Sequence, residues 1–157
     1  MITINLGPFS GKSAPEIHYH PSLADRLLEI VAVFCLLFGI GIICWNYYHT
    51  NSLPEYAIPR IIISMLLFAL LFSGAYTSVH NINFPIRIGR HNAVKQYILF
   101  TRLMRVSNIF LTTFCIISPL SDYYTWTAIL RITALILWFL SVVTYYICLL
   151  YTSDAAD

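Results

Sequence analysis

The sequence predicts an all-α integral membrane protein of four transmembrane helices with both termini on the cytoplasmic side. Three observations carry that expectation. Of 157 residues, 59% are hydrophobic and 10% are charged, whereas a water-soluble domain carries about 25% charged residues. Lipid is therefore the solvent expected around most of the chain. Uncharged runs recur at span length, because about 20 apolar residues cross the hydrocarbon as a helix. Finally, five of the nine basic residues crowd into one stretch that contains no acid.

Met1 to Pro21 reads as a polar lead, broken by Pro8, Pro15 and Pro21 and expected to be extended or loosely ordered. A membrane domain should follow over residues 22–147, with spans at about 27–48, 60–79, 98–118 and 126–147. Ser22 followed by Asp25 resembles a capping box, so a helix should begin near Leu23. Asp25, Arg26 and Glu29 sit among Leu23, Leu27, Leu28 and Ile30, as an interfacial turn would. Ile30 to Tyr48 is uncharged and closes on Trp45, Tyr47 and Tyr48, an aromatic belt.

Pro54 and Pro59 break the helix, and Pro59 suits the start of the next one. Ile61 to Val79 is the second uncharged run. It carries small residues, of which Gly74 and Ser78 are the expected helix-contact positions. Ordinary tolerance of glycine and serine in a membrane helix is the alternative.

The stretch "HNINFPIRIGRHNAVKQYILFTRLMR" holds Arg87, Arg90, Lys95, Arg102 and Arg105. Pro85 and Gly89 keep its first part non-helical, and helical periodicity begins at Asn92. At 100° per residue His91, Lys95, Arg102 and Arg105 share one side, with Tyr97, Phe100, Leu103 and Met104 spread over the other. The helix should start at headgroup level and dive as Val106 to Ile117, with Pro119 ending it. The five basic residues are expected to set topology and to meet anionic lipid headgroups.

The fourth span starts with Tyr123, Tyr124 and Trp126 and includes Arg131. Either Arg131 lies within the span, which would mark a functional site, or its guanidinium snorkels to the interface. The apolar run from Ile132 to Leu150 can cross alone, which favours snorkelling. Four spans put the lead, the basic middle segment and the C-terminus on one side. Lys12, Arg26 and the five middle residues face Arg60 and Arg131 on the other, so the positive-inside rule makes the first side cytoplasmic.

Asn83-Phe84-Pro85, Asn92-Ala93, Gln96-Tyr97, Arg102 and Arg105 resemble a segment of small bacterial integral-membrane proteins that carry domain of unknown function 1648. That domain also occurs in the immunity protein against the sporulation-delaying toxin. "HPSLADRLLEI" leading to "WNYYHTNSLPEYAIP" is similar as well, so the likeness extends to about Ile117. Where the family has a polar signature loop, this chain has Arg60 and the apolar "IIISMLLFALL". The resemblance implies a multi-pass protein of the bacterial inner membrane with an immunity, sensor or accessory role.

The residues point away from enzyme chemistry. No acid falls at mid-membrane and no glycine-rich phosphate loop is present. Cys35, Cys44, Cys115 and Cys148 lie in apolar runs without metal-ligand spacing and read as packing residues. His18, His20, His49, His80 and His91 read as solvated interfacial histidines, with a metal site at "HYH" as the alternative. No cofactor is expected. A net charge of +2 does not suit nucleic acid. The expected partners are membrane lipids and a membrane-protein partner or a second copy. A transporter or channel subunit is the rival reading, with Thr112, Thr113, Thr133, Ser141 and Thr144 as the only candidates to line a path.

The end, "CLLYTSDAAD", back-translates to a sequence resembling the transposase mosaic-end adapter of sequencing libraries. Residues 148–157 are therefore expected to be non-native, the natural sequence being recorded only to about Ile147.

Overall fold

The structure, a computed structural model, describes residues 3–17, 19–86, 92–121 and 123–154. Its main body is four helices: α1 (Leu23–Thr50), α2 (Ala57–Ala75), α3 (Ala93–Ile117) and α4 (Thr125–Asp154). All four are long and apolar enough to cross a membrane. α1 starts on the expected capping box. The Ser22 hydroxyl accepts from the Asp25 amide at 3.3 Å, and the Asp25 carboxylate accepts from the Ser22 amide at 2.8 Å. It ends on Asn51 at φ 50°, a left-handed conformation that asparagine tolerates.

α3 is the central helix and packs against each of the other three. In its most apolar stretch 44% of residues are buried, against 17% in α1 and α4. The reason lies in its side chains. Thr101, Arg105, Ser107, Asn108 and Thr112 are all buried and each makes a side-chain hydrogen bond, and polar groups have to be enclosed with partners where no water can serve them. The outer helices instead turn Ile30, Phe34, Leu37, Leu66, Leu70, Ile136 and Phe139 outward.

The chain is mostly helical, as expected, with one addition. A small sheet caps one end of the bundle. Strands β1 (Ile4–Asn5) and β2 (Phe9–Ser10) come from the lead, and β3 (Ile82–Phe84) follows α2. β3 lies in the middle, parallel to β1 through Ile4–Ile82 and antiparallel to β2 through Phe9–Phe84. Ile82 and Phe84 are fully buried and pack with Tyr97 and Phe100 of α3, Phe84 meeting Phe100 edge to face at 6.2 Å. The lead is thus folded where it pairs with β3, because those apolar side chains would otherwise meet water at the helix ends.

Two glycines permit this docking. A Cβ on Gly7 would stand 2.3 Å from the Pro85 Cα, and one on Gly11 would stand 2.1 Å from the Val79 carbonyl oxygen. Backbone atoms cannot step aside as a side-chain tip can. Gly11→Ala is expected to loosen the cap by about 2 kcal/mol. Limited trypsin digestion would show faster cleavage after the neighbouring exposed Lys12. An unchanged cleavage rate would contradict the docking.

Some boundaries also move. α2 ends at Ala75, short of the span end expected near residue 79. The chain then leaves through a single helical turn, Val79–Asn81. α4 continues to Asp154, past the expected end near residue 147. A second apolar cluster at the far end of the bundle joins Leu36 and Ile43 of α1 to Ala57, Ile116, Ile117 and Leu120.

Candidate functional site

The site is an ionic cluster where α1, α2 and α3 meet beneath the sheet. Asp25 and Glu29 are four residues apart on α1, and Arg102 and Arg105 three apart on α3, so each pair occupies one helix face. α1 and α3 run in the same direction, and the two pairs therefore match in order. Arg102 Nε lies 3.2 Å from Asp25 Oδ1, and Arg105 Nε lies 2.7 Å from Glu29 Oε1.

Each carboxylate also accepts from a tyrosine. The Tyr19 hydroxyl donates to Asp25 and the Tyr76 hydroxyl donates to Glu29 at 2.7 Å. The Arg105 guanidinium stands 5.3 Å from the Tyr76 ring centroid, a cation–π distance. Burial, then the bond to a carboxylate, raises the pKa of both tyrosines, so both remain protonated donors. Asp25 is fully buried and the Arg105 side chain is 2% exposed, while the Arg102 side chain is 49% exposed. The cluster ties the lead, α1, α3 and the end of α2 together.

Polar bonds continue along α3. Trp138 Nε1 donates to the Ser107 hydroxyl at 3.2 Å, Asn108 Nδ2 donates to the Phe68 carbonyl at 3.3 Å, and the Thr112 hydroxyl donates to Asn108 Oδ1 at 2.9 Å. At the far end the Tyr124 hydroxyl donates to Asn46 Oδ1 at 3.2 Å. Arg131 reaches back to the preceding loop, donating to the Ser121 hydroxyl at 2.7 Å, and its guanidinium lies 5.2 Å from the Phe114 ring centroid. Arg131 thus reaches toward the start of α4, while its Nε is buried without a hydrogen-bond partner among the described residues.

No protein-family model matches the chain, and no curated protein or solved structure matches it either.

The geometry redistributes the expected basic stripe. Lys95 is exposed in the first turn of α3, and Arg102 is half exposed beside Asp25. Arg105 is withdrawn from headgroup contact, because its guanidinium is buried against Glu29 and Tyr76. Arg87, Arg90 and His91 lie outside the described residues, as do His18 and Asp122. Among the described residues no group of three or more histidines, cysteines or acids is placed to hold a metal.

The expected helix contacts also change. Gly74 is buried against α3, where a Cβ would stand 3.4 Å from the Met104 sulfur, an ordinary contact. Ser78 is exposed and lies beyond the end of α2, so it makes no helix contact of the expected kind. The close crossing is at Gly39, where a Cβ would stand 2.5 Å from Ile116 Cγ2. Sequence reasoning passed over Gly39, although it stands out among the large apolar residues of α1. It also read Glu29 only as an interfacial residue and Asp25 only as a capping and interfacial one. Their four-residue spacing opposite arginines three apart was the available signal.

Proposed function

We propose that this chain is a non-enzymatic multi-pass protein of the bacterial inner membrane, a binding module for lipid or a membrane-protein partner. The observation that carries this reading is where the hydroxyls of the candidate path residues point. Thr113 donates to the Ile109 carbonyl, Thr133 to Ile129, Ser141 to Trp138 and Thr144 to Leu140, each within its own helix. Thr112 is taken by Asn108. A transport path needs polar groups that face a shared lumen and exchange partners with a passing solute. Thr133 and Thr144 lie on the exposed outside of α4 and the other hydroxyls are bonded within the protein, which favours a module over a conduit. An immunity, sensor or accessory role is proposed on the likeness of the middle segment alone.

Membrane insertion is supported by the outward apolar faces of α1, α2 and α4. Orientation follows from charge: Lys12, Arg26, Lys95, Arg102 and Arg105 gather at the capped end, while Arg60 and Arg131 lie toward the other. The capped end is therefore cytoplasmic. In proteoliposomes the protein is expected to give no substrate-dependent flux, and measurable transport would overturn the module reading in favour of a transporter subunit. Orientation has its own test. In a cysteine-free background, Glu55→Cys is expected to react with a membrane-impermeant maleimide in intact spheroplasts and Lys12→Cys only after lysis. The reverse pattern would overturn the assignment.

A further inference from the structure

α1 and α2 both pack on α3, and a cavity of about 670 Å³ opens between them. Arg26, Glu29 and Tyr76 line its charged end. Ile30, Val33 and Phe72 line it further along the helices. This change from polar to apolar along the wall matches the change from headgroup to acyl chain.

The charges at that end do not cancel. Asp25 is paired with Arg102 and Glu29 with Arg105, while Arg26 has no acidic partner among the described residues. One positive charge is left over. Among the described residues both bonds to Glu29 fall on Oε1, which leaves Oε2 to accept another donor. The cavity thus offers a cation for a phosphate, an acceptor for a hydroxyl and an apolar wall for a chain.

We propose that this groove binds one glycerophospholipid with an anionic, hydroxyl-bearing headgroup, of the phosphatidylglycerol class. Its phosphodiester sits on Arg26, a headgroup hydroxyl donates to Glu29 Oε2, and an acyl chain lies along Ile30, Val33 and Phe72. A zwitterionic amine lipid puts the same phosphate on Arg26 but adds an ammonium, so the surplus positive charge of the site stays uncancelled. The inference rests on the membrane reading above and adds the lipid class and its position.

The test is native mass spectrometry of the full chain in detergent with equal amounts of dioleoyl phosphatidylglycerol and dioleoyl phosphatidylethanolamine. The wild type is expected to retain phosphatidylglycerol about fivefold over phosphatidylethanolamine. Arg26→Ala is expected to abolish the preference, while Arg26→Lys and Lys95→Ala keep it. Arg26 is exposed on the first turn of α1, so its replacement leaves the packed core intact. Equal retention by the wild type would overturn the proposal. So would an Arg26→Ala variant that keeps the preference, or a Lys95→Ala variant that loses it, since diffuse surface charge would then suffice. Carbonate extraction separates the two readings. A chain that stays in the membrane fraction without the preference defeats this site alone, whereas a chain that is extracted defeats the membrane reading beneath it.

Discussion

Arg105→Met is expected to destabilise the folded bundle by about 3 kcal/mol, because removing one partner of a buried ion pair leaves the other charge unpaired. Glu29 would keep only the Tyr76 hydroxyl, in a setting where its side chain is 16% exposed. Glu29→Gln added to Arg105→Met removes the stranded charge, and the double variant should recover most of the loss. Tyr76→Phe is expected to cost about 1 kcal/mol, the usual worth of one hydrogen bond. Reversible unfolding in mixed micelles, followed by circular dichroism, measures all three. A single variant no worse than an exposed substitution, or a double variant no better than the single, would show that the pair does not hold α1 against α3. Its role as we read it is register. A pair of this kind adds little net stability over an apolar replacement, but it penalises every arrangement that leaves one member alone.

At the other crossing, Gly39→Ala is expected to cost about 2 kcal/mol, within the range for adding one methyl to a packed core. Ile116 is fully buried, and its Cγ2, Cγ1 and Cβ would be the atoms met by the new methyl, at 2.5, 2.6 and 3.1 Å. They are near-backbone atoms of a β-branched side chain, which has little room to turn. Shortening Ile116 to alanine makes room. The cost of Gly39→Ala should therefore largely vanish in an Ile116→Ala background, a coupling expected of residues in contact. Gly41 is an internal control: a Cβ there meets nothing within 4 Å. Gly41→Ala should be neutral or stabilising by about 0.5–1 kcal/mol through helix propensity. If Gly39→Ala and Gly41→Ala behave alike, the two helices do not cross where the structure puts them.

The cap shows what a sequence reading cannot reach. Its strands hold two or three residues each, too few for an alternating pattern to register. They pair across about eighty positions of chain. Ile82-Asn83-Phe84 reads as loop between two helices until Phe100 and Tyr97 supply the surface that buries it. Ser78 fails in the opposite way. Small residues recur from Ser73 to Ser78, but the helix that would have carried Ser78 into a contact stops at Ala75. The basic stripe was legible as a stripe, and the burial of Arg105 was not, because the matching spacing of Asp25 and Glu29 does not say which basic residues the fold brings against them.

What the sequence by itself determined is the set of properties that add up residue by residue. Four apolar helices, the capping box at Ser22 and the crowding of basic residues after α2 all come from local composition and spacing. Tertiary structure alone decided which helix is central, which glycine faces a neighbour and which arginine is spent on an acid. Arg102 and Asp25 are 77 residues apart in the chain, and Arg105 and Glu29 are 76. The energy of such a pair exists only at contact, through a Coulomb term that grows as distance and water are removed. No local pattern encodes it. The contact arises when α3 must hide its polar side chains, and the acids of α1 are the partners that meet them there.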